Sequence, residues 1–417
     1  MALCLENHLV RCSALDGAPV LHINAAMSTV ALPVRQTMLK SLWEHFKVLY
    51  QDISPKYPTL AAEHALTQEE ETYSKSTKLT YRHAVISTIA SIKRRPSPDN
   101  INHPSVGTEG QIAKREEDRK KLQALKITVE QLEPYALTQD EMKQWGYIVD
   151  IPAGPGGDRP SEEGSIMKCE RCNQQFKVKR REEADETTDE EPCTRGHHVF
   201  YESNPEDLHK RHAFSHTRPP TSEADDTALD IIALDCEMIY STGGMRVARV
   251  SVVDSMGKEI FDEIIRMDDG VEVIDFNTRF SGITEENYSQ AVLQLAAIRK
   301  SLDAYINSNT LIIGHALDND LKTLRMIHHR CVDTAIIFPH RAGAPYRRAL
   351  RDLAVIEFQR RVKEHLGKVI QTGGGTVGHS SVEDSVATLD LVRWRILNGP
   401  KPRPKPAPIP EDDILSI

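Results

Sequence analysis

Residues 230–240 read DIIALDCEMIY, an apolar run that two acids interrupt. Residues 231–234 have the composition of a strand at the centre of a sheet. Because side chains alternate between the two faces of a strand, Asp235 and Glu237 are expected on one face and Cys236 on the other. Two like charges on a buried face repel each other and lose hydration. The strand therefore needs a partner that offsets this cost.

The composition indicates a soluble chain with room for two or three domains. Its 417 residues are 39% hydrophobic and carry a net charge of −9, and the mean hydropathy is −0.44. This charge argues against a protein that coats nucleic acid, but an enzyme that grips a few nucleotides remains compatible with it. No apolar run reaches the roughly 18 residues of a membrane helix, and the start MALCLENHLVRC lacks a signal-peptide pattern. Seven scattered cysteines do not indicate a disulfide framework. We expect an intracellular protein with no membrane partner.

Stretches rich in proline, glycine and charge divide the chain. The predicted segments are a disordered N-terminus (1–30), a helical module (31–96), a linker with a helix (97–164), a Cys/His segment (165–225), an α/β domain (226–397) and a proline-rich tail (398–417). In the helical module, apolar residues at helical spacing predict helices over about 38–50 and 81–92.

The α/β domain opens with three segments that predict an antiparallel sheet, and helices and strands then alternate. A helix is expected over about 286–304 and a strand over 310–315, with closing helices from about 348 and from about 380. This order predicts a mixed sheet with helices on its faces.

The stretch GHALDNDLKTL (314–324) follows a predicted strand and begins a helix. Asp318 is expected to cap that helix, since acids are favoured at helix N-termini. Asp320 lies two residues further on and is expected near the C-terminal edge of the sheet, where α/β proteins usually bind ligands.

The stretch GHSSVEDSVATLDL (378–391) carries a third set of candidate residues. Ser380 and Glu383 have capping-box spacing, so the helix is predicted to begin near Ser380. This places His379 on the preceding loop and Asp384 in the first turn. Asp390 lies further along the helix and is assigned to surface charge.

Four carboxylates and one histidine thus form a candidate site: Asp235, Glu237, Asp320, Asp384 and His379. Hard oxygen ligands in this number suit Mg²⁺ or Mn²⁺. Two such ions can hold an attacking and a leaving oxygen in line, and the histidine is suited to accept a proton from water. The charge of the ions would offset the repulsion between the first two acids.

The three motifs, in this order, resemble those of the DEDDh 3′-to-5′ exonucleases. TRFSGIT (278–284) and VDTAIIFPHRAGAPYRRALRDLA (332–354) also resemble the Rex-type RNA exonucleases, and the likeness extends over about 165–397. The resemblance implies a ribonuclease H-like fold, a mixed five-stranded sheet flanked by helices. It also implies that the four acids hold two Mg²⁺ or Mn²⁺ ions, that His379 is the general base, and that nucleoside 5′-monophosphates are released from RNA 3′ ends.

The resemblance further suggests three substrate-binding residues. Met238 would lie near the terminal nucleotide, although a packing role is as well supported. Arg347 and Arg348 would meet phosphates, although a solvated helix face explains them equally well.

The Cys/His segment contains Cys169-x2-Cys172 and, later, Cys193-x3-His197. This spacing is typical of zinc sites, and a pair of free thiols is the alternative. His197 is the fourth ligand that the spacing favours, with His198 left open.

The leading hypothesis is a metal-dependent 3′-to-5′ exoribonuclease that trims or matures RNA, with structured non-coding RNA as its expected partner. The alternatives are an exodeoxyribonuclease of the same superfamily, because the acids do not read the 2′-OH, and a non-catalytic RNA-processing scaffold. The basic stretches KRRP (93–96) and KVKRR (177–181) are weak nuclear-localisation signals, so nucleus and cytoplasm are both expected.

Overall fold

The computed structural model describes residues 18–22, 28–101, 103–180, 193, 196–222, 226–350, 352–353 and 380–399. His379 and most of the helix predicted from about 348 lie outside these residues. The chain divides into two compact units. Among the described residues, unit 1 comprises those up to Lys121, and unit 2 comprises those from Leu122 onward.

Unit 1 is helical. Its helices are α1 (Leu32–Leu49), α2 (Leu60–Ser74), α3 (Tyr81–Lys93) and α4 (Glu109–Gln123). The core of the unit consists of large side chains from α1 and α3 with alanines from α2, among them Leu39, Leu42, Phe46, Ala61, Ala65, Tyr81 and Val85. The two helices that the apolar spacing predicts are therefore present, and α2 is an addition that the spacing did not reveal.

A buried ion pair joins α1 to α2 in unit 1. The Arg35 guanidinium donates from Nε and Nη2 to the two oxygens of Glu69, both at 2.7 Å. The Tyr81 hydroxyl donates to Glu69 Oε1 at 2.6 Å. Because both charges are shielded from solvent, each depends on the other for its compensation.

Unit 2 begins with short elements that precede and cover its main sheet. They are α5 (Val129–Leu132), α6 (Gln139–Gln144), β1 (Ile166–Lys168), β2 (Gln175–Lys177), α7 (Pro205–Arg211) and β3 (Ser215–His216). Strands β1 and β2 form an antiparallel hairpin in the Cys/His segment.

The remaining elements are the strands of the main sheet, the helices between and after them, and β9, which pairs with β3 in a separate two-stranded sheet. They are β4 (Ile231–Ser241), β5 (Gly244–Asp254), β6 (Glu259–Ile264), β7 (Val273–Asp275), α8 (Thr278–Ser281), α9 (Glu285–Tyr288), α10 (Leu295–Leu302), β8 (Leu311–Gly314), α11 (Leu317–Thr323), β9 (Met326–Ile327), β10 (Cys331–Asp333), α12 (Thr334–Ile337) and α13 (Ser381–Asn398). The strand order is β10-β8-β4-β5-β6. Strands β4, β5 and β6 are antiparallel, whereas β8 runs parallel to β4 and to β10. The predicted mixed α/β sheet is confirmed.

The sheet has six strands rather than the five expected. The additional strand, β7, pairs with the end of β4 through Tyr240 and Ser241. Strand β4 is 11 residues long, whereas β8 covers only its first three residues, so the far end of β4 is free to accept another partner.

The helix predicted over 286–304 is interrupted. Only α9 and α10 are helical, and Val292 between them is 78% exposed. Before α10 the chain is extended, with Gln294 bridging to Arg266 and the Arg266 N–H donating to Leu293 O at 2.9 Å. Pairing with the chain after β6 thus replaces the helical turn that the apolar spacing indicates.

The surface position expected for Asp390 is wrong. Its side chain is 1% exposed and accepts a hydrogen bond of 2.8 Å from Arg393, whose side chain is equally buried. The expected helix α13 is present and packs on β4 and β5, so this side of the helix faces protein. Among the described residues, no helix has both the length and the apolar character needed to cross a membrane.

Candidate functional site

Strand β4 provides two of the four acids. Asp235 lies opposite Ser251 on β5, and Glu237 lies opposite Arg249. The β4–β5 register shifts directly after Glu237, which marks a β-bulge at this point. Bulges are frequent beside active sites because they redirect side chains. Glu237 is buried and Asp235 is half-buried, so the strand carries its two carboxylates into a region with little solvent.

Asp320 reaches the site from the first turn of α11. The chain turns sharply between β8 and this helix, and a Cβ on Gly314 would meet the Leu317 side chain at 2.6 Å, so the close approach requires glycine. Ala316, just before the helix, has a left-handed backbone with φ of 54°. The turn therefore brings α11 directly over the C-terminal end of β8.

Asp333, at the end of β10, holds this turn in place. It accepts hydrogen bonds from the backbone N–H groups of Ala316 and Leu317, at 2.9 and 3.1 Å. It also accepts from the Tyr147 hydroxyl at 2.7 Å. Sequence reasoning missed both Asp333 and Tyr147, although an acid directly after the apolar pair Cys331–Val332 repeats the pattern of the first motif.

Asp384 lies in the first turn of α13, as predicted. The Ser380 side chain is the N-cap and accepts from the Glu383 N–H. The next residue, Ser381, is buried, and its hydroxyl lies 2.6 Å from that of Ser251 on β5. This contact ties the start of α13 to the residue opposite Asp235, which brings Asp384 to the same part of the sheet.

The four acids influence one another electrostatically. Burial, with the charge of Asp384, raises the pKa of Asp235 well above its usual range. Burial raises the pKa of Glu237 to about 10, and Asp235 and Asp384 add to this. Burial followed by Asp235 also raises the pKa of Asp320, opposed by a hydrogen bond from the Cys236 backbone. Carboxylates from three separate motifs thus meet in one region of unfavourable negative charge.

Carboxylates grouped in this way fit a site for divalent cations. Oxygen ligands of this type suit Mg²⁺ and Mn²⁺, and a cation would offset the burial and the repulsion that together raise their pKa values. The four acids are not tightly clustered. In the part of the chain that the structure describes, the group of potential metal ligands whose donor atoms all lie within 4.8 Å of one another is in the Cys/His segment. The acids therefore do not form a cage as tight as that one.

The surroundings of Asp318 differ from the cap that the sequence suggested. Asp318 is buried and accepts from Lys322 Nζ at 2.9 Å, and from the guanidinium of Arg347. Arg347 also donates to Trp145 O at 2.8 Å and lies over the Trp145 ring, 5.5 Å from its centroid. In this structure Arg347 therefore connects its own loop to Trp145 at the end of α6 and to Asp318 on α11.

The other two predicted substrate residues lie in unit 2. Met238 is half-buried and packs against the main apolar core, in agreement with the packing role that was left open. Arg348 is half-buried. A role for either in binding substrate stays a prediction.

The Cys/His segment forms a compact group of potential ligands. Donor atoms of Cys169, Cys172, Cys193 and His198 all lie within 4.8 Å of one another. His198, the alternative left open, takes the place expected of His197. Its ring stacks on Phe176 with centroids 5.2 Å apart, and its Nδ1 lies 3.5 Å from Cys172 Sγ.

The Cys/His segment packs on the end of the main sheet. Its buried residues share an apolar cluster with Tyr240 of β4 and Ile274 of β7. Arg171, between the first two cysteines, donates to Asp275 Oδ2 at 2.6 Å. The segment is therefore anchored to the sheet at the end of the strand that carries Asp235 and Glu237.

Comparison with known proteins relates this arrangement to a group of nucleases. No family model matches the chain. RNA exonuclease 3 of Emericella nidulans is 42% identical over 189 residues, covering 39% of this chain and 28% of the relative. RNA exonuclease 3 of Candida albicans is 27% identical over 353 residues, covering 79% of this chain and 80% of the relative. The chain is therefore similar in sequence to proteins named as RNA exonucleases.

The similarity to other RNA exonucleases and exonucleases is partial, since the chain spans only 24 to 42% of the length of several longer relatives. Among solved structures, the chain is similar to the Pan2 catalytic unit of Neurospora crassa (protease and nuclease domain). It shares 24% identity, covering 44% of this chain and 30% of that chain with a TM-score of 0.34. At that score the structural likeness carries no further conclusion.

Proposed function

We propose that the chain is a metal-dependent 3′-to-5′ exoribonuclease that trims or matures RNA 3′ ends and releases nucleoside 5′-monophosphates. The observation that carries this proposal is the gathering of Asp235, Glu237, Asp320 and Asp384 from three motifs at one end of the sheet, in a chain similar to RNA exonucleases. The finer fold assignment, ribonuclease H-like, is part of the proposal. Its support is the antiparallel trio β4–β5–β6 followed by parallel β8 and β10.

In the proposed reaction the four acids would hold two Mg²⁺ or Mn²⁺ ions, which would supply Lewis-acid stabilisation to the reacting oxygens. Other features of the chain position these four carboxylates. The extra residue of the bulge, Ala248, lies on β5 opposite the step from Glu237 to Met238, and Asp333 fixes the turn from which Asp320 projects. His379 is proposed as the general base from its place in the third motif.

The proposal is tested by digestion of matched RNA and DNA oligonucleotides, labelled at the 3′ end, with and without Mg²⁺. We expect Mg²⁺-dependent release of mononucleotides from RNA. Faster digestion of DNA would favour an exodeoxyribonuclease, and RNA binding without any cleavage would favour a scaffold. Either result would overturn the proposal.

The metal role is tested with Asp235→Ala, which we expect to abolish cleavage while RNA binding is retained. Glu263→Ala is a matched control, because Glu263 is an exposed acid on β6 of the same sheet. Unchanged cleavage by the Asp235 variant would contradict the assignment of this acid to the metal site.

We further propose that Cys169, Cys172, Cys193 and His198 hold a structural zinc ion. Three thiolates and one imidazole are a typical tetrahedral zinc set, and their donor atoms lie close enough together to share one ion. We expect one zinc per chain by elemental analysis. His198→Ala should lower this content and His197→Ala should not, and equal effects of the two variants would count against the assignment.

The natural substrate and location are also proposals. Structured non-coding RNA, including ribosomal RNA precursors, is the expected substrate, and the basic stretches at 93–96 and 177–181 suggest nuclear as well as cytoplasmic residence. Imaging of the full chain with both stretches neutralised tests the second point. Unchanged nuclear signal in that variant would show that neither stretch directs it.

A further inference from the structure

A groove of about 900 Å³ lies between the Cys/His segment and the main sheet. Its lining consists of Arg171, Tyr240, Asp275, Asn277, Thr278, Arg279 and Phe280. The volume is within the range of ligand sites in proteins. Tyr240 lies on β4 only three residues after Glu237, a distance of about 10 Å along a strand. The groove therefore lies at the end of the strand that carries Asp235 and Glu237.

The floor of the groove has the chemistry of a site for single-stranded nucleic acid. Phe280 is 56% exposed, although large aromatic side chains are usually covered. The Arg279 guanidinium lies 5.6 Å from the centroid of the Phe280 ring. Neighbouring aromatic and arginine side chains provide stacking surfaces and phosphate contacts for unpaired nucleotides.

The turn that carries Phe280 is held rigidly. Asn277 has a left-handed backbone with φ of 50°, and its N–H donates to Asp275 Oδ1 at 2.7 Å. Further along, Thr278 Oγ1 donates to Ile283 O at 2.6 Å, and Ser281 Oγ to Phe276 O at 2.7 Å. An exposed aromatic ring on a pre-organised turn loses little conformational entropy when it binds.

The opposite wall comes from the Cys/His segment. Arg171 pairs with Asp275 and lies over the Tyr240 ring, 5.1 Å from its centroid. Within the described residues Arg279 forms no ion pair, so its charge is available to a ligand. Arg171 is paired with Asp275 and the Tyr240 hydroxyl donates to Glu170 at 3.2 Å, so Arg279 is the positive charge of the lining that remains for a phosphate.

We infer that this groove binds single-stranded RNA on the 5′ side of the nucleotide being removed, with Phe280 stacking on a base and the Cys/His segment forming one wall. The inference rests on the proposed exoribonuclease activity, because the 3′ end must occupy the acids for upstream nucleotides to reach the groove. It assigns to the Cys/His segment a part in holding substrate.

The test compares kcat/KM for 5′-labelled RNA of two and of eight nucleotides in the full-length protein with Mg²⁺. One stacked base contributes about 1–3 kcal/mol, so Phe280→Ala should lower the ratio of the eight-nucleotide to the two-nucleotide value by about 5- to 150-fold. Phe280→Trp, which keeps an aromatic ring, should retain the wild-type ratio. Val292→Ala, at another exposed apolar residue of unit 2, is the control and should leave it unchanged.

A binding measurement separates this inference from the proposed activity. Asp235→Asn protein and the same protein with Phe280→Ala are titrated against a fluorescent eight-nucleotide RNA, and we expect 5- to 150-fold weaker binding without the ring. Binding weakened by Phe280→Ala, together with a wild-type protein that cleaves no RNA, would support the groove and overturn the proposed activity. If Phe280→Ala changes neither the ratio of the two kcat/KM values nor RNA binding, the inference about the groove is wrong, whether or not the protein cleaves RNA. Equal loss for a DNA oligonucleotide would show that the groove does not select RNA.

Discussion

Glu237 shows that the site is electrostatically unfavourable for a charged carboxylate. It is 8% exposed and faces two other carboxylates, and burial raises its pKa to about 10. Arg249, the cross-strand neighbour, opposes this shift, but it is engaged with Asp262 through two hydrogen bonds. The protein therefore offers little of its own positive charge to these acids, as expected where the compensating charge is a bound cation.

This pKa shift predicts how stability depends on pH. A carboxyl group whose pKa rises on folding favours the folded state while it is protonated, so its contribution is complete below about pH 4.5 and is lost as the pH rises toward 10. In protein freed of Mg²⁺ and Mn²⁺, we expect the free energy of unfolding to fall between about pH 5 and 9, by up to about 1.4 kcal/mol per pH unit for one group. Chemical denaturation across this range measures the slope.

Glu237→Gln should flatten this dependence, and Glu263→Gln, at an exposed acid, should not. Added Mg²⁺ should also flatten it, because the ion stabilises the charged form. The same slope in the wild type and in Glu237→Gln would show that other groups control the stability in this range.

At the scale of elements, helix α11 is positioned by an acid from a different strand. Asp333 is fully buried at the end of β10, and it satisfies backbone N–H groups at the starts of two helices, α11 and α12. These N–H groups have no partner within their helices. The location of Asp320 in the site thus depends on a residue that belongs to none of the three motifs.

We therefore predict that Asp333→Ala weakens metal binding as well as stability. Each buried donor left without a partner costs about 1–3 kcal/mol, and the loosened turn should displace Asp320. Mg²⁺ titration by calorimetry should show reduced affinity, with partial recovery in Asp333→Asn, which retains one acceptor oxygen. Lower stability with unchanged Mg²⁺ affinity would mean that the turn keeps its shape without this acid.

Sequence patterns predicted those elements whose buried faces consist of large apolar residues. Strand β4 and helices α1 and α3 have such faces, and the N-cap of α13 follows a recognisable capping pattern. Helix α2 escaped prediction because alanines, Gln68 and Glu69 occupy much of its buried face. The helix near Val292 was mispredicted because a bridge between Arg266 and Gln294 interrupts it. Asp390 was mispredicted because its helix packs on β4 and β5, which are distant in sequence.

At the scale of the whole molecule, the two units have different kinds of core. Unit 2 is organised around a sheet, and its acids carry the proposed chemistry. Unit 1 packs three helices around an apolar core and the buried pair of Arg35 and Glu69. Its described residues contain no comparable group of metal ligands. We therefore expect the stability of unit 1 and the catalytic activity to respond to different substitutions.

The ion pair of unit 1 provides a way to test this separation. Glu69→Ala leaves the Arg35 guanidinium buried without its partner, which typically costs about 3–5 kcal/mol. Calorimetry of the full chain should then show a lower transition temperature for unit 1 and an unshifted one for unit 2. Glu70→Ala, at the exposed neighbour on the same helix, should change neither. Cleavage of short RNA at temperatures below the first transition should be retained, because the substitution does not affect the acids of unit 2. A single transition that shifts as a whole, with activity lost in parallel, would show that the two units fold and function as one.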